Sequence, residues 1–317
     1  MYANLETLWR TTITRNPNCW LAHNNLGTTL LKQGNLDETI QHFERALQLK
    51  PDYPEAHVNL GVVLANQGKL DEAIQHYERA LQLRPDYADA LNNLGAALAA
   101  QGKLDEAIQH YERALQLDPD YTEAHNNLGI ALAARGKLDA AIQHYERVLQ
   151  LKPDYPEAHN NLGIALADQG KSNEAIQHFE RALQLKPDYV EAHYNLGIAL
   201  ADQGKLDEAI QHFERALQLK PDYADALNNL GFALAKQGKW DEAIQHYERT
   251  LQLRPDYAEA HCNLGIALAK QGRWDEAITQ LQQALALAMV QGNTTLAKSI
   301  RTRLKSYQPA LLQPQTP

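Results

Sequence analysis

The sequence VEAHYNLGIALADQGKLDEAIQHFERALQLKPDY, residues 190–223, contains the pattern from which most of the chain is built. The Pro-Asp-Tyr triplet at its end recurs every 34 residues, with its Asp at 52, 86, 120, 154, 188, 222 and 256. Eight copies start at residues 20, 54, 88, 122, 156, 190, 224 and 258. We call each copy a repeat and number its residues as positions 1 to 34. A fixed period of this length predicts a stack of similar supersecondary units.

Each repeat is predicted to contain two helices. Helix A covers about positions 1–14 and helix B about positions 17–30, with a Gly at position 15 that favours the end of helix A. The Asp at position 33 is expected to be the N-cap of the next helix A, with an acidic residue at position 2 completing a capping box. A Pro at position 32 ends helix B in the first seven repeats.

The apolar positions of the two helices are complementary. Leucines at positions 7 and 11 of helix A lie on one stripe with positions 4 and 8, and helix B presents small, aromatic and small residues at positions 20, 24 and 27. Neither helix can bury its stripe alone, so each hairpin must stack on its neighbours. The predicted fold class is therefore an all-α solenoid of helix–turn–helix repeats.

The two ends of the chain depart from the repeat pattern. Residues 1–19 are predicted to form an N-terminal capping half-repeat in the register of a helix B, followed by the eight repeats at 20–291. Residues 292–307 are predicted to be a C-terminal capping helix with an apolar face formed by Leu296, Ile300 and Leu304. Residues 308–317 are predicted to be a disordered tail.

The repeat resembles the tetratricopeptide repeat (TPR). In the copy at 190–223, the residues that carry the resemblance are Leu196, Gly197, Ala209, Phe213, Ala216 and Pro221. The resemblance covers about residues 20–291. It implies a right-handed superhelix in which the A helices line a concave groove that binds proteins or peptides.

Composition and charge exclude several classes of function. The formal charge of -9 disfavours nucleic acid as the main partner. No apolar stretch approaches the ~20 residues of a membrane span, so no membrane insertion is expected of this segment. The two cysteines occupy different repeat positions, which disfavours a disulfide or a Cys-based metal site. We expect a cytoplasmic protein, or alternatively the soluble domain of a membrane-anchored protein.

The histidines follow the repeat instead of marking a catalytic site. All 13 fall at position 4 or position 23, whereas a catalytic His normally has a specific partner. Position 4 is expected at the edge of the packed stripe and position 23 in solvent. Of the 17 glycines, 16 occupy positions 8 and 15, which leaves no glycine-rich phosphate loop. The sequence therefore predicts no enzyme, no catalytic or metal-binding residue and no cofactor.

Positions 2, 5, 6, 9, 12 and 13 lie opposite the apolar stripe of an isolated helix A and are expected to face a ligand. Position 6 is Asn in every repeat: Asn25, Asn59, Asn93, Asn127, Asn161, Asn195, Asn229 and Asn263. Side-chain amides both donate and accept, so such a row is suited to the backbone of an extended peptide. The row is similar to the asparagine ladder in the TPR superhelix of O-linked N-acetylglucosamine transferases. Asn at position 6 also belongs to the general consensus of the family.

Selectivity is expected where the repeats differ. The candidates are Asn126, Asn160 and Tyr194 at position 5, Phe232 at position 9, and Asp168, Asp202, Lys236 and Lys270 at position 13. Position 13 is thus acidic in repeats five and six and basic in repeats seven and eight. The two aromatic residues are predicted to be anchors for a partner.

Three functions are compatible with these patterns. The leading hypothesis is a non-catalytic scaffold that binds a protein or extended peptide in the groove. One alternative is the substrate-recognition arm of a larger, glycosyltransferase-like protein, because the first residues resemble the junction at which such arrays follow a membrane-embedded domain in bacterial proteins. The other is a self-assembling scaffold, since the ends of a solenoid can associate weakly.

Overall fold

A computed structural model of the chain describes residues 2–307, with side chains from residue 5 onward. The chain forms two compact units, Met1–Asp154 and Tyr155–Pro317, and the boundary lies one residue before the start of repeat five. The predicted disordered tail at 308–317 lies outside the described residues. Within the described residues every regular element is an α-helix, which confirms the all-α repeat fold.

The eight repeats contribute sixteen helices, and one further helix lies at each end of the array. The A helices are α2 (Trp20–Lys32), α4 (Pro54–Asn66), α6 (Ala88–Ala100), α8 (Thr122–Ala134), α10 (Pro156–Asp168), α12 (Val190–Asp202), α14 (Ala224–Lys236) and α16 (Ala258–Lys270). The B helices are α3 (Leu36–Leu49), α5 (Leu70–Leu83), α7 (Leu104–Leu117), α9 (Leu138–Leu151), α11 (Ser172–Leu185), α13 (Leu206–Leu219), α15 (Trp240–Leu253) and α17 (Trp274–Val290). The flanking helices are α1 (Tyr2–Arg15) and α18 (Thr294–Tyr307).

The start of helix A differs from the prediction. In repeats two to eight the N-cap is the Tyr at position 34, not the Asp at position 33, and no side chain caps these helices. The reason is visible in repeat six, where the backbone N–H of His193 donates to the carbonyl of Tyr189 at 3.1 Å. Because the N-cap residue is the one whose carbonyl accepts this first helical bond, the Asp lies one residue too early.

The end of helix A agrees with the prediction. The eight glycines at position 15 have φ between 74° and 80°, a left-handed backbone conformation that disfavours residues with a Cβ. The chain can therefore reverse over three residues and lay helix B against helix A.

Small residues bring the two helices of a repeat close together. In repeat six, Leu196 of α12 and Phe213 of α13 are each 1% exposed, and Ala192 and Ala209 are fully buried. A Cβ built on Gly197 would lie 2.6 Å from Cε1 of Phe213, so the aromatic ring occupies the space that any larger residue needs. Close packing of this kind, repeated in each hairpin, forms the core.

Helix α18 covers the end of the last repeat. Its Ile300 is fully buried in a cluster with Leu281 and Ala288 of α17 and Cys262 of α16, and Leu296 and Leu304 pack against that cluster. At the other end, α1 packs against α2. The division of the chain into caps, array and tail remains a prediction, but these contacts show what protects the apolar surface of repeat eight.

Candidate functional site

The exposed surface of the A helices is the candidate site. Within each unit, each B helix packs against the A helix of the next repeat, and neighbouring A helices contact one another to a smaller extent. We define the A-helix face as the side chains at positions 6, 9 and 13 of these helices. All eight position-13 side chains are exposed or half-buried, as are those at positions 6 and 9.

The asparagines at position 6 bond to the preceding repeat. Nδ2 of the position-6 Asn donates to Oδ1 of the Asn at position 5 of that repeat, over 3.0–3.1 Å. The donor–acceptor pairs are Asn59–Asn24, Asn127–Asn92, Asn195–Asn160 and Asn263–Asn228. This bond fixes the orientation of the amide. One N–H and the carbonyl oxygen of each donor amide take no part in this bond. Among the described residues, no hydrogen bond uses Oδ1 of Asn127 or Asn195.

The expectation that position 5 faces a ligand is wrong. Asn126 is 9% exposed and Asn160 is 3% exposed. Position 5 does point away from the apolar stripe of its own helix, but repeat six packs over Asn160 and supplies Nδ2 of Asn195 as its partner. Asn160 is therefore placed between repeats, where it holds the amide of Asn195 and is shielded from solvent.

Tyr194 replaces the asparagine at position 5 of repeat six and takes over its structural contact. Its hydroxyl accepts a hydrogen bond from Nδ2 of Asn229 at 3.2 Å. Its ring packs against Tyr223 and Phe213, with centroid separations of 4.8 and 6.2 Å. The side chain is half-buried by these contacts within the array. Only part of it is therefore accessible for its predicted role as an anchor for a partner.

The remaining candidates are exposed side chains of the A-helix face. Phe232 is 44% exposed, which is unusual for a Phe side chain in this chain. Asp168, Asp202, Lys236 and Lys270 are all exposed, and the Lys236 ammonium lies 5.2 Å from the centroid of the Phe232 ring. Charge on this face therefore changes sign within the unit Tyr155–Pro317.

Four of the seven acidic residues at position 2 form ion pairs within the array. Glu157 faces Lys186, and Oδ1 of Asp225 accepts hydrogen bonds from Arg254 at 2.7 Å and from the hydroxyl of Tyr257 at 2.9 Å. Such pairs between positions 2 and 31 join the start of helix A to the end of helix B. They explain the acidic column without a ligand, although exposed pairs contribute little stability.

The histidines form pairs that the sequence did not reveal. In five repeats the position-4 and position-23 rings are 2.8–3.0 Å apart, measured between their Nδ1 atoms. Position 23 is thus half-buried against helix A, and the expectation that it lies in solvent is wrong. In repeat two, Nε2 of His57 also binds the carbonyl oxygen of Pro51 at 3.1 Å.

These contacts determine the proton positions. A carbonyl can only accept, so Nε2 of His57 carries the proton and its Nδ1 accepts a hydrogen bond from Nδ1–H of His76. Burial lowers the pKa of both imidazoles, and in His76 the neighbouring His57 lowers it further while Glu72 opposes the shift. The pair in repeat two is therefore a neutral link between helices A and B.

Metal binding and membrane insertion are two further possibilities for residues 5–307. No group of three or more His, Cys, Asp or Glu side chains there has the arrangement needed to hold a metal ion. No helix in the described part of the chain is long and apolar enough to cross a membrane.

The comparison with protein families agrees with the repeat architecture. One tetratricopeptide-repeat model matches residues 19–85, 52–120 and 222–289, which is more than half of the chain. The chain belongs to the tetratricopeptide-repeat family. Further TPR models match residues 160–224, 131–170 and 110–143. A search of the curated proteins finds no match.

Solved TPR structures resemble the chain in fold. The Cut9–Hcn1 hetero-tetramer of APC/C is 20% identical with a TM-score of 0.69, over 94% of this chain and 57% of that chain. Pseudomonas aeruginosa pilF is 22% identical with a TM-score of 0.60, over 68% of this chain and 97% of that chain. YrrB, described as a TPR protein with an unusual peptide-binding site, is 24% identical with a TM-score of 0.48, over 58% of this chain and 95% of that one. The identities are low, so the first two likenesses concern the fold alone.

Proposed function

We propose that this TPR chain is a non-catalytic scaffold whose A-helix face binds extended segments of other proteins. The proposal is supported by the burial and the hydrogen bonding of the position-6 asparagines. They are half-buried in all eight repeats, and in at least five of them the amide is held in place by the preceding repeat. A polar group with a fixed orientation and a free acceptor is suited to binding.

The chemistry favours a peptide backbone as the ligand. An extended strand presents N–H and C=O groups along its edges, and a side-chain amide can both donate to and accept from such groups. Each net hydrogen bond contributes about 0.5–1.5 kcal/mol, and less ordering entropy is lost because the amides are already oriented. A row of such bonds binds without reading a particular sequence, and selectivity is left to positions 9 and 13.

A matched pair of variants tests the proposal. Peptides selected from a random library on the purified protein would be labelled, and their affinities measured by fluorescence anisotropy. We expect the Asn195→Ala, Asn229→Ala, Asn263→Ala triple variant, whose three substitutions lie in one unit, to bind at least tenfold more weakly, because three backbone contacts at ~0.5 kcal/mol or more are lost. The control carries Gln109→Ala, Gln177→Ala and Gln211→Ala, which remove exposed amides from B helices.

The control separates the A-helix face from the rest of the surface. Equal affinities for the wild type and the triple asparagine variant would refute the proposal, as would an equal loss in the glutamine variant. The recognition-arm and self-assembly alternatives remain predictions. Light scattering over a concentration range addresses self-assembly, since a stacked array must grow in mass with concentration.

A further inference from the structure

Two cavities of the unit Tyr155–Pro317 occupy equivalent places in the repeat. One, of about 170 Å³, lies between α10, α11 and α12, and the other, of about 220 Å³, lies between α14, α15, α16 and α18. Both are lined by positions 9, 12, 13, 17 and 24 of one repeat and positions 6 and 9 of the next. The residues of the second cavity thus follow those of the first by 68 positions, or two repeats.

The two cavities carry opposite charge. The first has Asp168 and Asp202 at its rim, and the second has Lys236 and Arg303. All four side chains are exposed, and no ion pair among the described residues engages any of them. The charges are therefore available to a partner, unlike the position-2 carboxylates that pair within the array.

Each cavity contains one amide of the position-6 row. Asn195 lines the acidic cavity and Asn263 the basic one, and both are oriented by the asparagine of the preceding repeat. A backbone held by these amides would thus pass both cavities. Their volumes lie below the ~300–1,000 Å³ of small-molecule sites, so each suits a single side chain.

The distance between the two cavities determines how far apart two side chains of a peptide must be to enter both. They are separated by two steps between neighbouring A helices, at about 8–10 Å for each step. An extended chain rises about 3.3 Å per residue, so about five to six residues cover the distance. Side chains of an extended strand alternate between faces, so two that point to the same side must be an even number of residues apart. Six residues satisfies both conditions.

We propose that this unit selects an extended peptide with a cationic and an acidic side chain six residues apart. The cationic side chain enters the cavity of Asp168 and Asp202, and the carboxylate enters the cavity of Lys236 and Arg303. The exposed ring of Phe232 forms an apolar part of the second cavity and contacts the carbon atoms of the acidic residue or its neighbour. This inference rests on the proposed function, because it assumes that a peptide lies along the A-helix face.

The test uses the full chain and four labelled nine-residue peptides of Ala and Ser. One has Arg at its second residue and Glu at its eighth, one has the two exchanged, one has Gln at both, and one has Arg and Glu three residues apart. We expect one of the two six-residue arrangements to bind about three- to tenfold more tightly than the Gln peptide at low salt. The advantage should shrink at 1 M salt, where exposed charges are screened. The peptide with the three-residue spacing should bind like the Gln peptide.

A charge-exchanged variant completes the test. Asp168→Lys, Asp202→Lys, Lys236→Asp and Arg303→Glu together leave the net charge unchanged, so general electrostatic attraction is the same. All four side chains are exposed, and circular dichroism checks that the variant is folded. We expect it to prefer the opposite order of Arg and Glu. Asp168→Asn with Asp202→Asn is a milder variant that should abolish the preference without reversing it.

The outcomes separate this inference from the proposed function. If the four peptides bind equally well and the triple asparagine variant binds all of them more weakly, the charge pairing is refuted and the peptide-binding function stands. If no peptide binds to either form, both are refuted. An unchanged order preference in the charge-exchanged protein also overturns the inference.

Discussion

The position-6 amides of Asn127 and Asn195 make a structural bond, and we propose that they also contact a ligand. Nδ2 of each donates to position 5 of the preceding repeat, which leaves one N–H and the carbonyl oxygen for other partners. The residue at position 5 therefore determines how much stability the amide contributes. Asn127 follows Asn92 and bonds to it, whereas Asn93 follows Val58, which has no polar side-chain atom.

Because the position-5 residues differ, the effect of a position-6 amide on stability can be measured separately from its effect on binding. We expect Asn127→Ala to lower the free energy of unfolding by about 1 kcal/mol, because it removes a hydrogen bond and leaves the buried Asn92 without its partner. Asn93→Ala should stay within about 0.5 kcal/mol of the wild type. Urea unfolding followed by circular dichroism measures both. Similar losses in the two variants would contradict the role assigned to the amide bond.

At the scale of the element, the histidine pairs connect helix A to helix B inside a hairpin. The pair in repeat two accommodates one added proton, on Nε2 of His76, which lies near Glu72. A second proton would place two N–H groups against each other across 2.9 Å. Repeats three and seven have Leu91 and Leu227 at position 4, so the hairpin also forms without the pair.

The pairs make stability dependent on pH. The folded protein holds the pKa of His57 and His76 below the ordinary value of 6.5, so below that pH the unfolded chain binds more protons. The free energy of unfolding therefore falls as pH falls from about 7 toward 5. We expect the midpoint of thermal unfolding to decrease over this range.

A variant that copies position 4 of repeats three and seven checks the cause of this pH dependence. It replaces the position-4 His by Leu at His23, His57, His125, His159 and His193. The five position-23 imidazoles keep their burial but lose the neighbouring ring, so the midpoint should vary less between pH 7 and pH 5. An identical pH profile in the variant would show that groups other than the pairs control it.

At a larger scale, each repeat within a unit touches the repeats beside it, so disturbances should remain local. Ile300 is fully buried where α18 covers repeat eight. We expect Ile300→Ala to cost about 2–5 kcal/mol through lost burial and a residual cavity. Hydrogen exchange should increase in α16, α17 and α18 and remain unchanged in α10, which is three repeats away. An equal increase in α10 would mean that the unit opens as one cooperative body.

The sequence was sufficient to predict the features that lie within one repeat. It was not sufficient to predict those that depend on the contact between two repeats. The 34-residue period, the hairpin and the buried columns follow from the apolar pattern, because each concerns a helix and its own partner. The burial of Asn160 could not be read from a single helix, because the next repeat covers it. A pairing signal was nevertheless present, since the position-4 and position-23 histidines stand 19 residues apart in five repeats.

The bond between position 6 and position 5 also affects how such a chain can change in length. Because Asn195 requires only an amide at position 5 of whichever repeat precedes it, a copied repeat would bring its own donor and find an acceptor already in place. Duplication of one 34-residue segment of the gene would then extend the array without a new interface having to evolve. Repeats two and eight are exceptions, because Val58 and Cys262 offer no amide to the asparagine of a following copy.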